Sequence, residues 1–469
     1  HNPADTNEFR WWNGSIDEVR IWNRSLSEAE VYEHYVSNLK KYDTDKWSFY
    51  INQSKNSSTG LDVGNYTYSG YAKDVAGNEN WTETREVRIK SETDVTKCRD
   101  LSQANTIYTL QNSVTSSGIC FNITADNITL NGNGFTITGD GGVTDYGITT
   151  PANSNLLNIK IKNFANIGTF GRGIYLQQVN NSLIYNNTMI SQVAQSTYAV
   201  WLEDGDSNRV ENNTINWNAT STYESYGIYL LVNSGKTLGN NNITGNNLII
   251  YSESLDGYGI YFDNYGISNS NTIQSNTFNI TASGGDSYGF FLSDYGSPNA
   301  NTFKLNTIQD NTFDINSSLY SYGIYMSLGN QGIPIGSNTI YNNIIRVSST
   351  QSISTFSAYG VYLYDIGSLN LTLNTINATA PNAHEIDIYL TSGSSNNVFY
   401  DNNLVGSNWS SYIANSGGTN NTFVNVSYSG GEFVGTSADL TRKWYYTAYV
   451  NDTNGNNVSN ANVTAYNVT

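Results

Sequence analysis

The sequence predicts an all-β chain organised around a parallel β solenoid, on three observations made between Tyr146 and Ser427. First, a small residue followed by aliphatic, aromatic and aliphatic residues returns as Gly173-Ile174-Tyr175-Leu176, Ala199-Val200-Trp201-Leu202, Gly227-Ile228-Tyr229-Leu230 and Gly259-Ile260-Tyr261-Phe262. It continues as Gly289-Phe290-Phe291-Leu292, Gly323-Ile324-Tyr325-Met326, Gly360-Val361-Tyr362-Leu363 and Asp387-Ile388-Tyr389-Leu390. Second, an Asn is repeated five residues later in Asn181/Asn186, Asn208/Asn213, Asn271/Asn276, Asn301/Asn306, Asn338/Asn343, Asn397/Asn402 and Asn420/Asn425. Third, nothing between these strands reads as an amphipathic helix.

The copies recur at roughly 26 to 37 residues, too tight for strand–helix repeats. Each period is therefore one coil, with like residues stacked about 4.8 Å apart, so that about ten coils make a rod of roughly 50 Å. The aliphatic neighbours of each ring point inward, and alternation sends Tyr175, Trp201, Tyr229, Tyr261, Phe291, Tyr325, Tyr362 and Tyr389 outward as a column. A Tyr precedes most copies, as at Tyr198, Tyr226, Tyr258, Tyr288, Tyr322 and Tyr359. Asn suits the corners because it tolerates a left-handed backbone and its amide can bond to the Asn of the next coil. On these motifs the stretch resembles the right-handed parallel β-helix superfamily, which includes pectate lyases, phage tailspikes and copper-processing proteins of the NosD type. Leu130-Asn-Gly-Asn-Gly-Phe135 resembles the β-helix entry of the last group.

The rod is expected over 96–430, flanked by β-sandwich modules. Residues 1–39 resemble the C-terminal end of a laminin-G-like or concanavalin-like jelly roll, with Ile16, Val19 and Ile21 on a final strand and Ser25 or Ser27 capping a short helix through Val31. Residues 40–95, with Trp47–Ile51, the Tyr-rich run after Gly64 and Thr84–Ile89, resemble immunoglobulin-like spacer modules of microbial surface proteins. Residues 431–469, beginning their pattern at Lys443-Trp-Tyr-Tyr, resemble the opening hairpin of a further sandwich. This combination resembles the large modular surface proteins of archaea. Cys98 and Cys120 sit about one coil apart where the rod begins, and a disulfide-stapled cap there would protect its first rungs.

Composition narrows the function classes. The chain has 469 residues, 13% charged, with a net charge of −17, which excludes the basic stripes that nucleic acid requires. No run is long enough for a membrane span. Roughly two dozen Asn-x-Ser/Thr sequons occur, among them Asn13, Asn23, Asn56, Asn122, Asn127, Asn186, Asn218, Asn242, Asn279, Asn316, Asn377, Asn408 and Asn425. Dense sequons and a paired cysteine agree on an extracellular, cell-surface location.

Chemistry on the rod would need clustered acids. The candidates are Glu203, Asp204 and Asp206, then Asp263, Asp294 and Asp365, near the ends of the aromatic strands. Asp263 and Asp294 are placed on adjacent coils, where paired carboxylates could act as acid and base or recruit Ca2+. Against this, Val232 and Leu328 take the equivalent place in other coils, and turn Asp residues making local bonds are the plainer reading. His1 and His34 lie outside the rod and His384 stands alone, so no metal site and no cofactor are expected. The outward rings could stack on sugars or simply stabilise neighbouring strands. The sequence therefore favours a non-enzymatic structural or adhesive surface glycoprotein that self-associates or joins neighbouring modules. Its alternative is a polysaccharide-binding or polysaccharide-cleaving protein using the acidic edge.

Overall fold

The computed structural model describes residues 21, 23–28, 31, 37–43, 46–51, 64–68, 71–73, 79–89, 91–142, 144–194, 196–220, 223–294, 303–328, 337–350, 358–380, 385–391, 393–406, 408–413 and 418–461. The chain divides into two compact units, His1–Ile89 and Lys90–Thr469.

In the first unit the described strands pair antiparallel: Ser37–Asp43 with Lys46–Ile51, Gly64–Tyr68 with Arg85–Ile89, and Tyr71–Lys73 with Glu79–Trp81. The first of these pairs crosses the expected boundary at residue 39, so that boundary cuts a strand rather than a linker. Most of residues 1–39, including Ile16 and Val19, lie outside the described residues; within the expected helix, the Val31 amide donates to the Ser27 carbonyl at 3.0 Å.

The second unit is a parallel β-helix. Each coil contributes a strand to an aromatic sheet that runs from Arg99–Leu101 to Gly431–Val434, then one to a second sheet from Ser91–Val95 to Leu440–Lys443. A third strand per coil, from Thr188–Val193 to Ser427–Tyr428, forms a nine-stranded sheet. The aromatic sheet has 13 described strands, so the stack is roughly 60 Å long at a strand spacing of about 4.8 Å. Both ends lie beyond the expected 96–430. Ser91–Val95 pairs in parallel with Thr106–Leu110, while Gly431–Val434 and Leu440–Lys443 add a last coil. Residues 431–443 therefore belong to the rod and not to a further sandwich.

The repeated glycine has a steric cause. In Ser225–Val232 both Gly227 and Ile228 are buried, so alternation breaks and the strand bends between two outward residues, Tyr226 and Tyr229. A Cβ at Gly289 would lie 2.5 Å from the Phe313 ring and 2.6 Å from the Gly323 carbonyl oxygen in the next coil. Only a residue without a side chain lets the core and the neighbouring backbone approach so closely. Ala199 and Asp387 are the exceptions in this column. Asp387 is fully buried and accepts the Ala378 and Gly406 amides at 2.9 and 2.8 Å, where the third sheet narrows from the five residues of Thr375–Thr379 to Asn403–Leu404.

An asparagine ladder holds the corner between the second and third sheets. Asn187, Asn213, Asn246, Asn276, Asn311, Asn343, Asn374 and Asn402 form one run, each side-chain amide donating to the next Asn Oδ1 at 2.9–3.1 Å. The backbone N–H of Asn246 donates to the same Asn276 Oδ1, and the Asn246 Nδ2 also donates to Val210 O. These buried amides are thus satisfied along the axis. A second ladder links Asn241, Asn271, Asn306 and Asn338, and resumes at Asn397 and Asn421. The expected pairs Asn181/Asn186 and Asn420/Asn425 are off by one. Those residues have positive φ and occupy the turns, while Ser182, Asn187 and Asn421 are the buried members. Asn301 lies outside the described residues. At the start of the rod Cys98 and Cys120 are joined in a disulfide across 22 residues.

Candidate functional site

The outward face of the aromatic sheet carries two adjacent columns of rings. The first runs Tyr175, Trp201, Tyr229, Tyr261, Phe291, Tyr325, Tyr362, Tyr389, Tyr412 and Phe433, with successive centroids 4.5–5.3 Å apart. The second runs Tyr198, Tyr226, Tyr258, Tyr288, Tyr322 and Tyr359, with rings 4.6–5.0 Å apart and within 7° of parallel. The columns meet edge to face, as at Tyr258 and Tyr261, 4.9 Å apart at 75°. The column is longer than the eight residues named from the motif: Tyr412 and Phe433 extend it, while Tyr146 stands in the register of the second column, 5.6 Å from Tyr175.

This packing decides what the rings can do. An interior ring of the second column spends both faces on its neighbours above and below, as do the later rings of the first, whereas Tyr175, Trp201 and Tyr229 meet tilted or edge to face. Each cross-strand pair contributes about 0.2–1 kcal/mol to the sheet. The rings shield one another enough that Tyr258 and Tyr288 are each 7% exposed although they point away from the core. Burial raises the pKa of Tyr226, Tyr258, Tyr288 and Tyr322 above the ordinary phenol range, keeping them protonated. Arg172 takes the second column's place between Tyr146 and Tyr198, its guanidinium 5.1 Å from the Tyr146 centroid and 5.0 Å from that of Trp201.

The acids predicted at the strand ends are distributed differently. Glu203 accepts from the Tyr175 hydroxyl and the Gln177 amide, each at 2.7 Å, and from Asn233 Nδ2 at 2.9 Å. Asp204 accepts the Asn233 backbone and side-chain N–H groups, and Asp206 accepts Gly239 N and the Thr237 hydroxyl. Asp263 accepts from the Tyr229 hydroxyl at 2.9 Å, and burial raises its pKa. Asp263 and Asp294 do lie on adjacent coils but do not stack. Asp263 pairs with Ser293 and is half-buried, whereas Asp294 is buried between Asn264 and Leu328 and accepts from Asn264 Nδ2 at 3.0 Å. Asp365 sits in a positive-φ turn whose amide donates to Thr391 O. Among the described residues no group of three or more His, Cys, Asp or Glu is arranged to hold a metal ion.

Sequence reasoning missed a second acidic column on the opposite edge. Glu224, Asp256 and Asp286 take one place in successive coils, since their carbonyls accept the amides of Thr197, Ser225 and Gly257 in turn. The Asp256 Oδ1 accepts the Asp286 amide at 2.8 Å, the Asp286 Oδ1 accepts the Tyr320 amide at 3.0 Å, and the Oδ2 atoms accept from Tyr258 and Tyr288. Burial, reinforced by the neighbouring Asp256 charge, pushes Asp286 up to about 6. The signal was present as acid, small residue, Tyr, Gly in Glu224-Ser-Tyr226-Gly, Asp256-Gly-Tyr258-Gly and Asp286-Ser-Tyr288-Gly.

The sequons fall outside the ladders. Asn23, Asn186, Asn279, Asn316, Asn408 and Asn425 are exposed, and Asn122, Asn127, Asn218, Asn242 and Asn377 are half-buried. Asn13 and Asn56 lie outside the described residues. No helix among the described residues is long and apolar enough to cross a membrane.

Residues 146–345 match the family model described as a right handed beta helix region, and these coils form a right-handed parallel β-helix. No curated protein sequence matches the chain significantly. Among solved structures it is similar to the Dettilon tailspike protein gp208, at 17% identity and a TM-score of 0.42 over 67% of this chain and 60% of the tailspike. It is similar to the A-module of the Azotobacter vinelandii mannuronan C-5 epimerase AlgE4, at 12% identity and a TM-score of 0.37 over 75% and 89%. A third likeness is to PfbA, a surface adhesin of Streptococcus pneumoniae, at 11% identity and a TM-score of 0.36 over 72% and 83%. The chain spans 60% of the length of the tailspike.

Proposed function

We propose that this chain is an extracellular structural or adhesive surface glycoprotein, a stalk, surface-layer component or filament subunit in which the β-helix is the rigid rod. One observation carries the reading: the groups that could face a ligand are used by the rod itself. Ring faces stack on ring faces, and Glu203, Asp204, Asp206, Asp256 and Asp286 accept hydrogen bonds from the rod's own amides and phenols. Exposed sequons distinct from the buried ladder asparagines support N-glycosylation. The test is assay of the purified protein against acidic and neutral polysaccharides with and without calcium. No turnover is expected; robust turnover would overturn the reading.

A second reading, polysaccharide cleavage, is favoured by the Asp256/Asp286 pair. The two residues take one place on adjacent coils, which stack about 4.8 Å apart, near the roughly 5 Å between the carboxyls of retaining glycosidases, and a carboxyl that burial pushes up to about 6 is suited to general-acid work. Turnover abolished by Asp286→Asn, with folding intact, would establish this reading in place of the first.

A further inference from the structure

The aromatic wall also makes a continuous path of easily oxidised side chains, since phenol and indole rings lose one electron more readily than any neighbouring group in the rod. We propose that the two columns carry one-electron oxidation along the rod, from Tyr146 in its early coils to Tyr412 near its last.

The path has no gap. Tyr146, Tyr175 and Trp201 carry it through the coils where Arg172 interrupts the second column, with centroids 5.6 and 4.9 Å apart. Both columns then run side by side. Phe291, which a phenol-level oxidant leaves untouched, interrupts the first column, but Tyr288 in the same coil lies 4.9 Å from Tyr258, 4.8 Å from Tyr322 and 5.7 Å from Tyr325. Beyond Tyr359 the second column ends at Ile386, and the first continues through Tyr362, Tyr389 and Tyr412 at 4.8 and 5.3 Å. The defects of the two columns never fall in the same coil.

Proton acceptors are already in place. Tyr175 donates to Glu203 at 2.7 Å, Tyr229 to Asp263 at 2.9 Å, Tyr258 to Asp256 at 2.9 Å and Tyr288 to Asp286 at 3.2 Å. When a one-electron oxidant at the surface, such as an outer-sphere metal complex, removes an electron from Tyr175, Tyr229, Tyr258 or Tyr288, the phenol proton passes to the bonded carboxylate and a neutral phenoxyl radical remains; the other tyrosines release the proton to solvent, and Trp201 passes the charge as a radical cation. The adjacent ring supplies the next electron, the carboxylate or solvent returns the proton, and the vacancy moves one coil on. The oxidant is reduced by one electron, one ring at the far end is left as a neutral radical, and its proton is released to solvent. A carbon–carbon cross-link needs two phenoxyl radicals, so a single vacancy migrates instead of stapling the stack.

The experiment attaches a ruthenium polypyridyl photo-oxidant to an exposed cysteine introduced by Thr144→Cys, beside Tyr146, and fires it with a sacrificial electron acceptor and a spin trap. Peptide mapping by mass spectrometry then locates the adducts. Adducts at Tyr389 and Tyr412, in a proportion independent of protein concentration, are expected. With Tyr258→Phe, Tyr261→Phe and Tyr288→Phe together they are lost beyond that point, while adducts at Tyr146, Tyr175 and Trp201 persist. Adding Phe291→Tyr to that variant restores part of the far-end signal, which separates a blocked path from a misfolded rod. Far-end adducts absent from the unblocked protein, or undiminished by the triple change, would overturn the proposal.

Discussion

Arg442 and Glu432 form an ion pair across the last coil of the rod, Arg442 Nε lying 2.8 Å from Glu432 Oε2. Arg442 pairs with Phe423 in the second sheet, where earlier coils carry Leu371 and Phe399, and Glu432 pairs with Ser411 in the column of Ile388. Two core columns therefore finish on opposite charges. An open sheet end is a template for another chain, and charge there opposes stacking.

The first prediction concerns that end. The Arg442→Leu/Glu432→Leu pair of changes should leave monomer stability within about 1 kcal/mol, the usual worth of an exposed ion pair. It should promote end-to-end dimers in sedimentation velocity. A strictly monomeric double variant at concentrations where the parent is also monomeric counts against a capping role.

The ladder gives a sharper stability test. Asn276→Ala removes the acceptor for both the backbone and side-chain N–H of Asn246, and the donor to Ile243 O and to Asn311. Several buried polar groups lose their partners at about 1–3 kcal/mol each. A loss of roughly 3–5 kcal/mol in chemical denaturation is expected, against almost none for the exposed Thr277→Ala beside it.

How much of this was readable beforehand varied with the regularity of the signal. The coil motif showed in sequence because Gly, aliphatic and ring residues meet fixed steric demands in every coil. The asparagines were found but in places misaligned, because Asn serves both the exposed left-handed turn and the buried ladder one residue later, as at Asn186 and Asn187. Asp263 and Asp294 could not be resolved by counting. Loop lengths hide the register that turns one outward and the other inward. Arg442 and Glu432 were assigned to another module, since a coil that ends in charge lacks the aliphatic pattern that marks a coil.

Replacing the glycine that lets the core close should be costly in proportion to its neighbours. Gly289→Val drives a branched side chain into the Phe313 ring and the Gly323 carbonyl, and a loss of about 3 kcal/mol or more follows from overpacking. Ala199→Gly, at the position where the column already accepts a methyl, should cost about 1 kcal/mol or less. Thermal melting of the two variants side by side reads the difference, and equal melting temperatures would contradict the steric account.

Stability should fall as pH rises through neutrality. Burial pushes Asp387 up to about 7 from an ordinary 3.8, so the folded protein holds this proton more tightly than the unfolded chain. Its contribution is complete below about pH 4 and is lost as pH rises to about 7, with Asp286 acting in the same direction up to about 6. Asp387→Asn should flatten the dependence between pH 5 and 8 while lowering the plateau, because Ala378 and Gly406 donate to different oxygens and one of them would face the Asn NH2 group. A melting curve insensitive to pH in the parent protein would refute the assignment.

Reduction of the Cys98–Cys120 disulfide, which closes a sequence separation of 22 residues, should cost about 3 kcal/mol. Hydrogen exchange should locate the loosening in the first coils, with Ile123 and Leu130 losing protection well before Ile315 or Leu371.

The asparagine ladder also bears on how the chain finds its place while folding. A slip of one residue would carry every Asn to a wrong face, whereas a slip of a whole coil would set Asn against Asn and ring against ring again. The repeat thus fixes alignment within a coil but cannot number the coils. That numbering falls to the places where the repeat is broken: Arg172 among the tyrosines, Ala199 and Asp387 among the glycines, Leu369 in the second ladder. Each irregularity serves as an address, and a rod idealised by erasing them would gain coil-skipped states that the natural sequence excludes.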